Sequence, residues 1–432
     1  MKRFSISILL ILFSITMAFS QQDTLIYKYR RMSVDYQQQI KMAQSDFAGA
    51  KSMVEASKSD RLPKVDLGGG FSYLGVPLQL APDADGNPGE QLNSFYSLDL
   101  TVFQPILTGG YLKNTRNAAI SKAEIMRYYV ALNEQEVMMN SDSYYWSSVA
   151  KKEMSLLLIA YRDGIGEFLK VIQDKVDEEV VGMNELYQAR VRFDDAEYKV
   201  IKTEKEFIIS IMQLNRIIGL PIDNITNVAS SLSVVEWNTN ENNLSNLAIQ
   251  QRPEVSMLKN KISLNQFNEK ITASAYNPQF GVGVGGNWGA PSPGLSATPD
   301  FNYSVRANLA IPIFYWGKKK EEVFASRQIT EVSKLEMEQT KELITLQVES
   351  SYFDILETQD QLEYSISSLD NSTKNVEVML DRYHEGLSSV LEVLDAQLYW
   401  QKTYLNYILA KYQLNTAFSN YQRAMGELSV SQ

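Results

Sequence analysis

Four stretches of the chain alternate apolar and polar residues with a period of two, and much of the rest repeats apolar residues at steps of three and four. In the first stretch Val65, Leu67, Phe71 and Tyr73 alternate with Asp66, Gly68, Gly70 and Ser72; in the second Tyr96, Leu98, Leu100 and Val102 alternate with Ser97, Asp99 and Thr101. In the third Phe280, Val282, Val284 and Trp288 alternate with Gly281, Gly283, Gly285 and Asn287. In the fourth Phe301, Tyr303, Val305, Leu309 and Ile311 alternate with Asn302, Ser304, Arg306 and Asn308. Successive strand side chains point to opposite faces, so each stretch predicts a strand with one apolar, aromatic-ended face and one small or polar face. Each runs about 9 to 11 residues, the length of a tilted strand crossing a bilayer. A soluble two-sheet sandwich fits the same pattern, because periodicity does not say whether lipid or a second sheet covers the apolar face. The turn-rich segments Pro82–Gly89 and Pro291–Gly294 read as exposed loops within each strand pair.

Helical spacing, as in Ile344, Val348, Tyr352 and Ile355, predicts helices over about 24 to 60, 111 to 177, 184 to 218, 245 to 276, 317 to 383 and 388 to 425. At 1.5 Å per residue the two longest reach about 100 Å, too long for a compact domain. The two shorter helices of each half, stacked end to end, would match the long one beside it.

The halves share one design. Pro105 and Pro312, Gly110 and Gly317, Tyr145 and Tyr352, Ala189 and Ala396, and Gly219 and Gly426 each lie 207 residues apart, while Pro63 and Pro278 lie 215 apart. The layout predicted is a signal peptide over 1–20, a first repeat over 21–219, a connector over 220–244, a second repeat over 245–428 and a C-terminal tail over 429–432. The first repeat holds a strand pair at about 64–104 and a helix-turn tip at about 178–184; the second holds the same features at about 279–311 and 383–389. The signal is read from Lys2 and Arg3, the apolar run Phe4 to Met17, and Ala18-Phe19-Ser20. No later segment is apolar enough to span a bilayer as a helix.

Composition narrows the chemistry. A length of 432 residues would allow two or three domains, but the repeat spreads one architecture over the chain. The balance of 41 basic against 51 acidic residues, 41 − 51 = −10, offers no footprint for nucleic acid or anionic headgroups. With no cysteine and one histidine, the chain has no thiolate metal site, no disulfide and no nucleophile-base set, which points away from an enzyme and from any cofactor. Gly281, Gly283 and Gly286 satisfy G-x-G-x-x-G, but Asn287-Trp288-Gly289-Ala290-Pro291 cannot start the helix a dinucleotide site requires.

The segment Tyr383-His384-Glu385-Gly386-Leu387-Ser388-Ser389 ends one helix at a glycine, and Glu392 and Asp395 follow at i and i+3 on one face of the next. Physics alone allows these acids to be a solvated helix start, since carboxylates favour the positive end of the helix dipole. The segment resembles the helix-turn tip of the TolC family of outer-membrane efflux and secretion channels: an aromatic residue, a glycine three positions later, then D-V-L-x-A or close to it, here Tyr383, Gly386 and Glu392-Val393-Leu394-Asp395-Ala396. The repeat, the strand pairs ending in Pro105 and Pro312, and Arg252-Pro253-Glu254 fit the same resemblance over nearly the whole mature chain.

That resemblance implies a homotrimer in the cell outer membrane: long helical hairpins forming a periplasmic α-barrel, and four strands per chain contributing to a shared twelve-stranded β-barrel in outer-membrane lipid. It implies docking to a periplasmic adaptor protein and an inner-membrane pump, through tips formed by Val180, Val181, Gly182, Met183 and Asn184 and by His384, Glu385, Gly386, Leu387 and Ser388. Carried over by position, Glu392 and Asp395 form acidic rings at the periplasmic constriction, with Glu185 from the first copy, and Tyr383 makes a gate contact. Ring carboxylates would raise one another's pKa values. The first copy departs from the pattern: Glu179 stands where Gly386 would, Gly182 lies three residues on, and Gln188 replaces the second acid, leaving Glu179 and Gly182 as two candidates for the turn. Ser388 stands where some members carry a basic residue.

Oligomerisation follows from physics without the family. Four strands cannot close a barrel, and open strand edges in lipid leave backbone groups unpaired at several kcal/mol each. The function implied is a passive exit duct for small molecules, energised by its pump; export of proteins by a type I system is the alternative, and a secreted coiled-coil scaffold without a pore is the alternative of another class.

Overall fold

The four alternating segments pair in sequence order into one antiparallel sheet, formed by β1 (Lys64–Gln79), β2 (Gln91–Thr108), β3 (Gln279–Ala290) and β4 (Asp300–Ala310). The computed structural model describes residues 25–79, 91–234, 237, 243–290 and 298–430. The expected signal peptide, both expected loops, and parts of the connector and of the C-terminal tail lie outside the described residues.

Register makes the faces explicit. Val65, Val102, Val284 and Val305 stand in one row across the strands, and Leu67, Leu100, Gly286 and Tyr303 in another. Gly69, Leu98, Trp288 and Phe301 form a third, with the Tyr96 ring 5.8 Å from that of Trp288. The opposite face carries Asp66, Thr101, Gly285 and Ser304, then Gly68, Asp99, Asn287 and Asn302. There the Asn287 amide donates to Asp99 at 2.5 Å and the Ser97 hydroxyl donates to it at 2.9 Å. The apolar face is uncovered: Leu67, Phe71, Tyr303 and Val305 are each exposed by more than three fifths of their surface, where a sheet packed on a second sheet would bury them.

The first hairpin is longer than the expected 9 to 11 residues per strand. β1 continues past a register shift between Tyr73 and Leu78, and β2 continues past another between Pro105 and Leu107. Each shift inserts residues on one side of the ladder and so breaks the alternation from which the strands are read.

Eight helices accompany the sheet among the described residues: α1 (25–36), α2 (Gln38–Ser59), α3 (Tyr111–Asp177), α4 (Met183–Ile218), α5 (Leu244–Gln251), α6 (Pro253–Ser274), α7 (Lys318–His384) and α8 (Val390–Met425). No described helix is long and apolar enough to cross a membrane. α3 and α7 both have 67 residues, and α4 and α8 both have 36. Two helices expected to be continuous are broken, at Gln37 and Arg252. The breaks are equivalent. The Gln37 amide donates to the Ile217 carbonyl at the end of α4, and the Arg252 guanidinium donates to the Ala424 carbonyl at the end of α8. Each side chain satisfies a carbonyl that the helix end would leave unpaired. Gly219 and Gly426 end those helices with φ near 80°; a Cβ on Gly219 would meet the Tyr36 ring at 2.3 Å.

By contacts the chain divides into two units. One holds Gln44–Tyr129 and Ser256–Gln339, which include the sheet; in it α6 pairs with the start of α7 through Asn265 to Ser333 at 2.8 Å, Lys261 to Glu336 at 2.5 Å and Tyr276 to Glu322 at 2.6 Å. The other holds the chain up to Ala43, Val130–Val255 and Thr340–Gln432. Its cores are apolar. Ile26 and Tyr29 pack on Tyr145, Trp146 and Val149 of α3 and on Leu214 and Ile217 of α4; Val255, Ile344, Val348 and Ile355 pack on Leu414 and Tyr421 of α8. Two buried ion pairs cross this unit. Arg30 grips Asp142 through both carboxylate oxygens, at 2.8 and 2.6 Å, and also donates to the Ser429 carbonyl and to Gln422. Lys411 donates to Glu153 at 2.6 Å, and the other Glu153 oxygen accepts from the Leu232 backbone, which ties the connector to α3 and α8.

Candidate functional site: the helix-turn tips

α3 and α7 stop for the same backbone reason. Leu387 N–H bonds to the Arg382 carbonyl and Gly386 N–H to that of Tyr383, with Gly386 at φ 76°. In the first copy Val180 bonds to Lys175 and Glu179 to Val176, with Glu179 at φ 60°. Both are Schellman turns, which need a left-handed residue at one position. Of the two candidates in the first copy, Glu179 therefore makes the turn. Gly182 is extended and caps α4. A residue with a Cβ loses roughly 1 to 2 kcal/mol in this conformation. Glu179→Gly is accordingly expected to stabilise the first tip by about 1 kcal/mol, net of glycine's larger backbone entropy loss. Hydrogen exchange at the Val180 amide should slow; unchanged or faster exchange would count against a strained turn.

Beneath the turns lies a core of Tyr161, Ile165, Phe168 and Ile172 from α3, Leu186 and Ala189 from α4, and Val390, Val393 and Leu394 from α8. Tyr383 belongs to it. Its ring is 4% exposed, stands edge-on to Phe168 at 5.0 Å and lies under the Lys175 ammonium at 4.1 Å. Within the single chain it is a core side chain, because position 383 falls on the inward side of the last turn of α7. Burial raises its phenol pKa, and the neighbouring Glu185 carboxylate raises it further.

Outside this core the tips present apolar surface. Val180, Met183 and Leu387 are each about half exposed or more, while Asn184, His384, Glu385 and Gly386 are also exposed and Val181 and Ser388 are half-buried.

The two acids of α8 have different surroundings. Ser389 caps α8: its hydroxyl accepts from the Glu392 N–H, and the Glu392 carboxylate accepts from the Ser389 N–H at 2.7 Å and from its hydroxyl at 3.0 Å. This is a reciprocal capping box. The backbone donor, with the hydroxyl, holds the Glu392 pKa below the usual carboxylate range. Within one chain the local influence is therefore opposite to the mutual raising expected of a ring. Asp395 is one turn further on, and its carboxylate accepts from Arg192 of α4 at 3.1 Å. Sequence pattern did not single out Arg192, for this contact joins residues 203 apart. Glu185 occupies the first turn of α4 without a side-chain cap from Gly182. Among the described residues no group of acidic or histidine side chains is arranged to hold a metal.

A four-stranded antiparallel sheet with a bare apolar face, in one chain with two 67-residue helices, is the architecture of outer-membrane channel folds. Residues 244–427, nearly the whole second repeat, match the family model described as outer membrane efflux protein. The fold is that of solved outer-membrane proteins: the outer membrane channel CmeC of Campylobacter jejuni (17% identity, 94% of this chain and 87% of that one, TM-score 0.76) and the outer membrane protein VceC of Vibrio cholerae (11%, 93% and 96%, 0.78). The open-state MtrE channel of Neisseria gonorrhoeae is similar too (14%, 93% and 88%, 0.74). No curated protein matches at the level of sequence. The fold and the match of the second repeat agree with the resemblance to the TolC family of outer-membrane channels.

Proposed function

We propose that this chain is one third of a passive exit duct: three copies close a twelve-stranded barrel in outer-membrane lipid, and their tips dock a periplasmic adaptor that links them to an inner-membrane pump exporting small molecules. The observation that carries the assembly is a four-stranded sheet whose outer strands β1 and β4 are both open edges. In hydrocarbon, unpaired edge groups cost several kcal/mol each, so lipid selects a closed ring of chains.

Val180, Met183 and Leu387 are the exposed apolar side chains at the turns, and they suit the adaptor-docking role. The chain has no cysteine, so cysteines placed at Val180 and Leu387 should cross-link only at those points. Cross-linking in cells is expected to capture a periplasmic adaptor. Capture confined to cysteines in the 220–244 connector would refute tip docking. Deletion of the gene should raise cellular retention of a fluorescent efflux dye. Unchanged dye retention together with loss of one protein from the medium would replace efflux with protein secretion.

Glu392 is the principal ring charge in this reading, because Arg192 offsets Asp395. The signs are therefore opposite: Glu392→Gln should lower cation selectivity, and Arg192→Gln should raise it by leaving Asp395 uncompensated. A carboxylate with a depressed folded pKa stabilises the fold above its unfolded pKa and loses that contribution as pH falls through the folded value. Selectivity and the α8 cap should thus both persist as pH drops through the ordinary carboxylate range, and fade only below it. Loss of selectivity at or above the ordinary glutamate range would show that ring repulsion outweighs the Ser389 cap.

A further inference from the structure

The two halves obey a residue-exact relation that reaches beyond the chain. Adding 215 to β1 positions and 207 to β2 positions converts the β1–β2 ladder into the β3–β4 ladder: Lys64 opposite Phe103 becomes Gln279 opposite Ala310, and Val65 opposite Val102 becomes Phe280 opposite Leu309. Between the hairpins lies the β2–β3 ladder, in which Asp99 faces Asn287, Val102 faces Val284 and Phe103 faces Gly283. The same shifts carry β2 onto β4 and β3 onto β1 of a neighbouring chain.

We propose that the seam between chains, in the shared barrel proposed above on which this inference rests, copies the β2–β3 seam in this register: Leu309 opposite Gly69 of the next copy, Arg306 opposite Ser72, and Tyr315 opposite Lys64. Three observations support it. Every resulting pair keeps its face: Leu309 and Gly69 both lie on the apolar side, Arg306 and Ser72 on the polar side. At three positions on the apolar side a large residue meets a small one, while Val305 meets Tyr73 and Ile311 meets Leu67. Ala307 receives Phe71, Leu309 lies against Gly69 and Tyr303 against Gly75, as Tyr96 lies opposite Ala290 inside the chain.

The third observation is a paired exchange. A Cβ on Gly281 would come within 2.5 Å of the Phe103 ring, so the bulk of Phe103 requires a glycine there. The shifts turn Phe103 into Ala310 and Gly281 into Asp66. Where the ring is missing, a side chain is present. The register also gives a partner to the segment after β4. Ile311 and Phe314 are both more than half exposed, and their counterparts in β2, Gln104 and Leu107, are paired with β3. In the proposed seam Ile311 to Tyr315 continues the ladder along Lys64 to Leu67 of the next copy.

Disulfide formation reads the register directly, since residues directly opposite on antiparallel strands have Cα atoms about 4.5 to 5.5 Å apart, within disulfide reach. The full-length protein in outer membranes is oxidised with cysteine pairs at Leu309 and Gly69, or at Arg306 and Ser72. Both are expected to convert monomer to covalent trimer on non-reducing gels. Pairs displaced by two residues, Leu309 with Leu67 or with Phe71, should leave monomer. Val102→Cys with Val284→Cys, which form their bond within one chain, report whether the sheet has folded. Trimer from displaced pairs in preference to the proposed ones overturns the register and leaves the shared barrel standing. No inter-chain product from any pair, with the Val102 and Val284 bond formed, overturns the shared barrel and the register together.

Discussion

Replacing Leu100 by arginine is expected to destabilise the assembled protein by about 2 to 4 kcal/mol, the cost of a cation on the lipid face near the bilayer midplane. Leu100 sits in mid-strand on the apolar face, opposite Leu67 on one side and Gly286 on the other. Thr101, the next residue, stands in the row of Asp66, Gly285 and Ser304, and a polar substitution there should leave stability nearly unchanged. A urea titration of the oligomer in detergent or liposomes, followed by its heat-modifiable migration, measures both. Equal tolerance at positions 100 and 101 would show that the faces are wrongly assigned.

Removing the partner of a buried cation should be as costly. Arg30 and Asp142 side chains are 4% and 0% exposed, and the pair joins α1 to α3 while Arg30 also binds the Ser429 carbonyl beyond α8. Asp142→Ala leaves the guanidinium buried with Gln422 and one carbonyl, and a broken buried pair typically costs about 3 to 5 kcal/mol. Lys334→Ala, which breaks an exposed pair with Glu331, should cost under about 1 kcal/mol. The comparison is made by thermal unfolding of the helical signal in circular dichroism. The double change Arg30→Met with Asp142→Leu should recover much of the loss, since an apolar pair carries no uncompensated charge. A small effect of Asp142→Ala would mean that water reaches Arg30.

The sheet was legible because one physical constraint, a face against lipid, imposes a period of two on every strand. Legibility ended where ladders shift, at Tyr73 to Leu78 and at Pro105 to Leu107, since inserted residues erase the alternation. Long helices were read nearly to their ends. The break at Arg252 had a local sign in Pro253, whose ring disfavours a helical residue before it. The equivalent break at Gln37 had none; it is made by a hydrogen bond to a carbonyl 180 residues away.

At the tips, Gly386 announced its turn, while Glu179 adopts the same left-handed conformation against its own preference because the surrounding helices fix the chain there. Ser389-x-x-Glu392 carries the capping-box spacing in plain sequence. The pairing of Asp395 with Arg192 depends on how α4 lies beside α8, and no local pattern encodes that.

Conductance across a planar lipid bilayer tests the exit duct most directly. Purified wild-type oligomer is predicted to insert and give discrete, cation-selective steps, with selectivity lowered in Glu392→Gln and raised in Arg192→Gln while heat-modifiable migration stays unchanged. A folded, membrane-inserted oligomer that passes no ions, or one whose ion selectivity is the same in all three proteins, would contradict a pore lined at its tip end by these side chains.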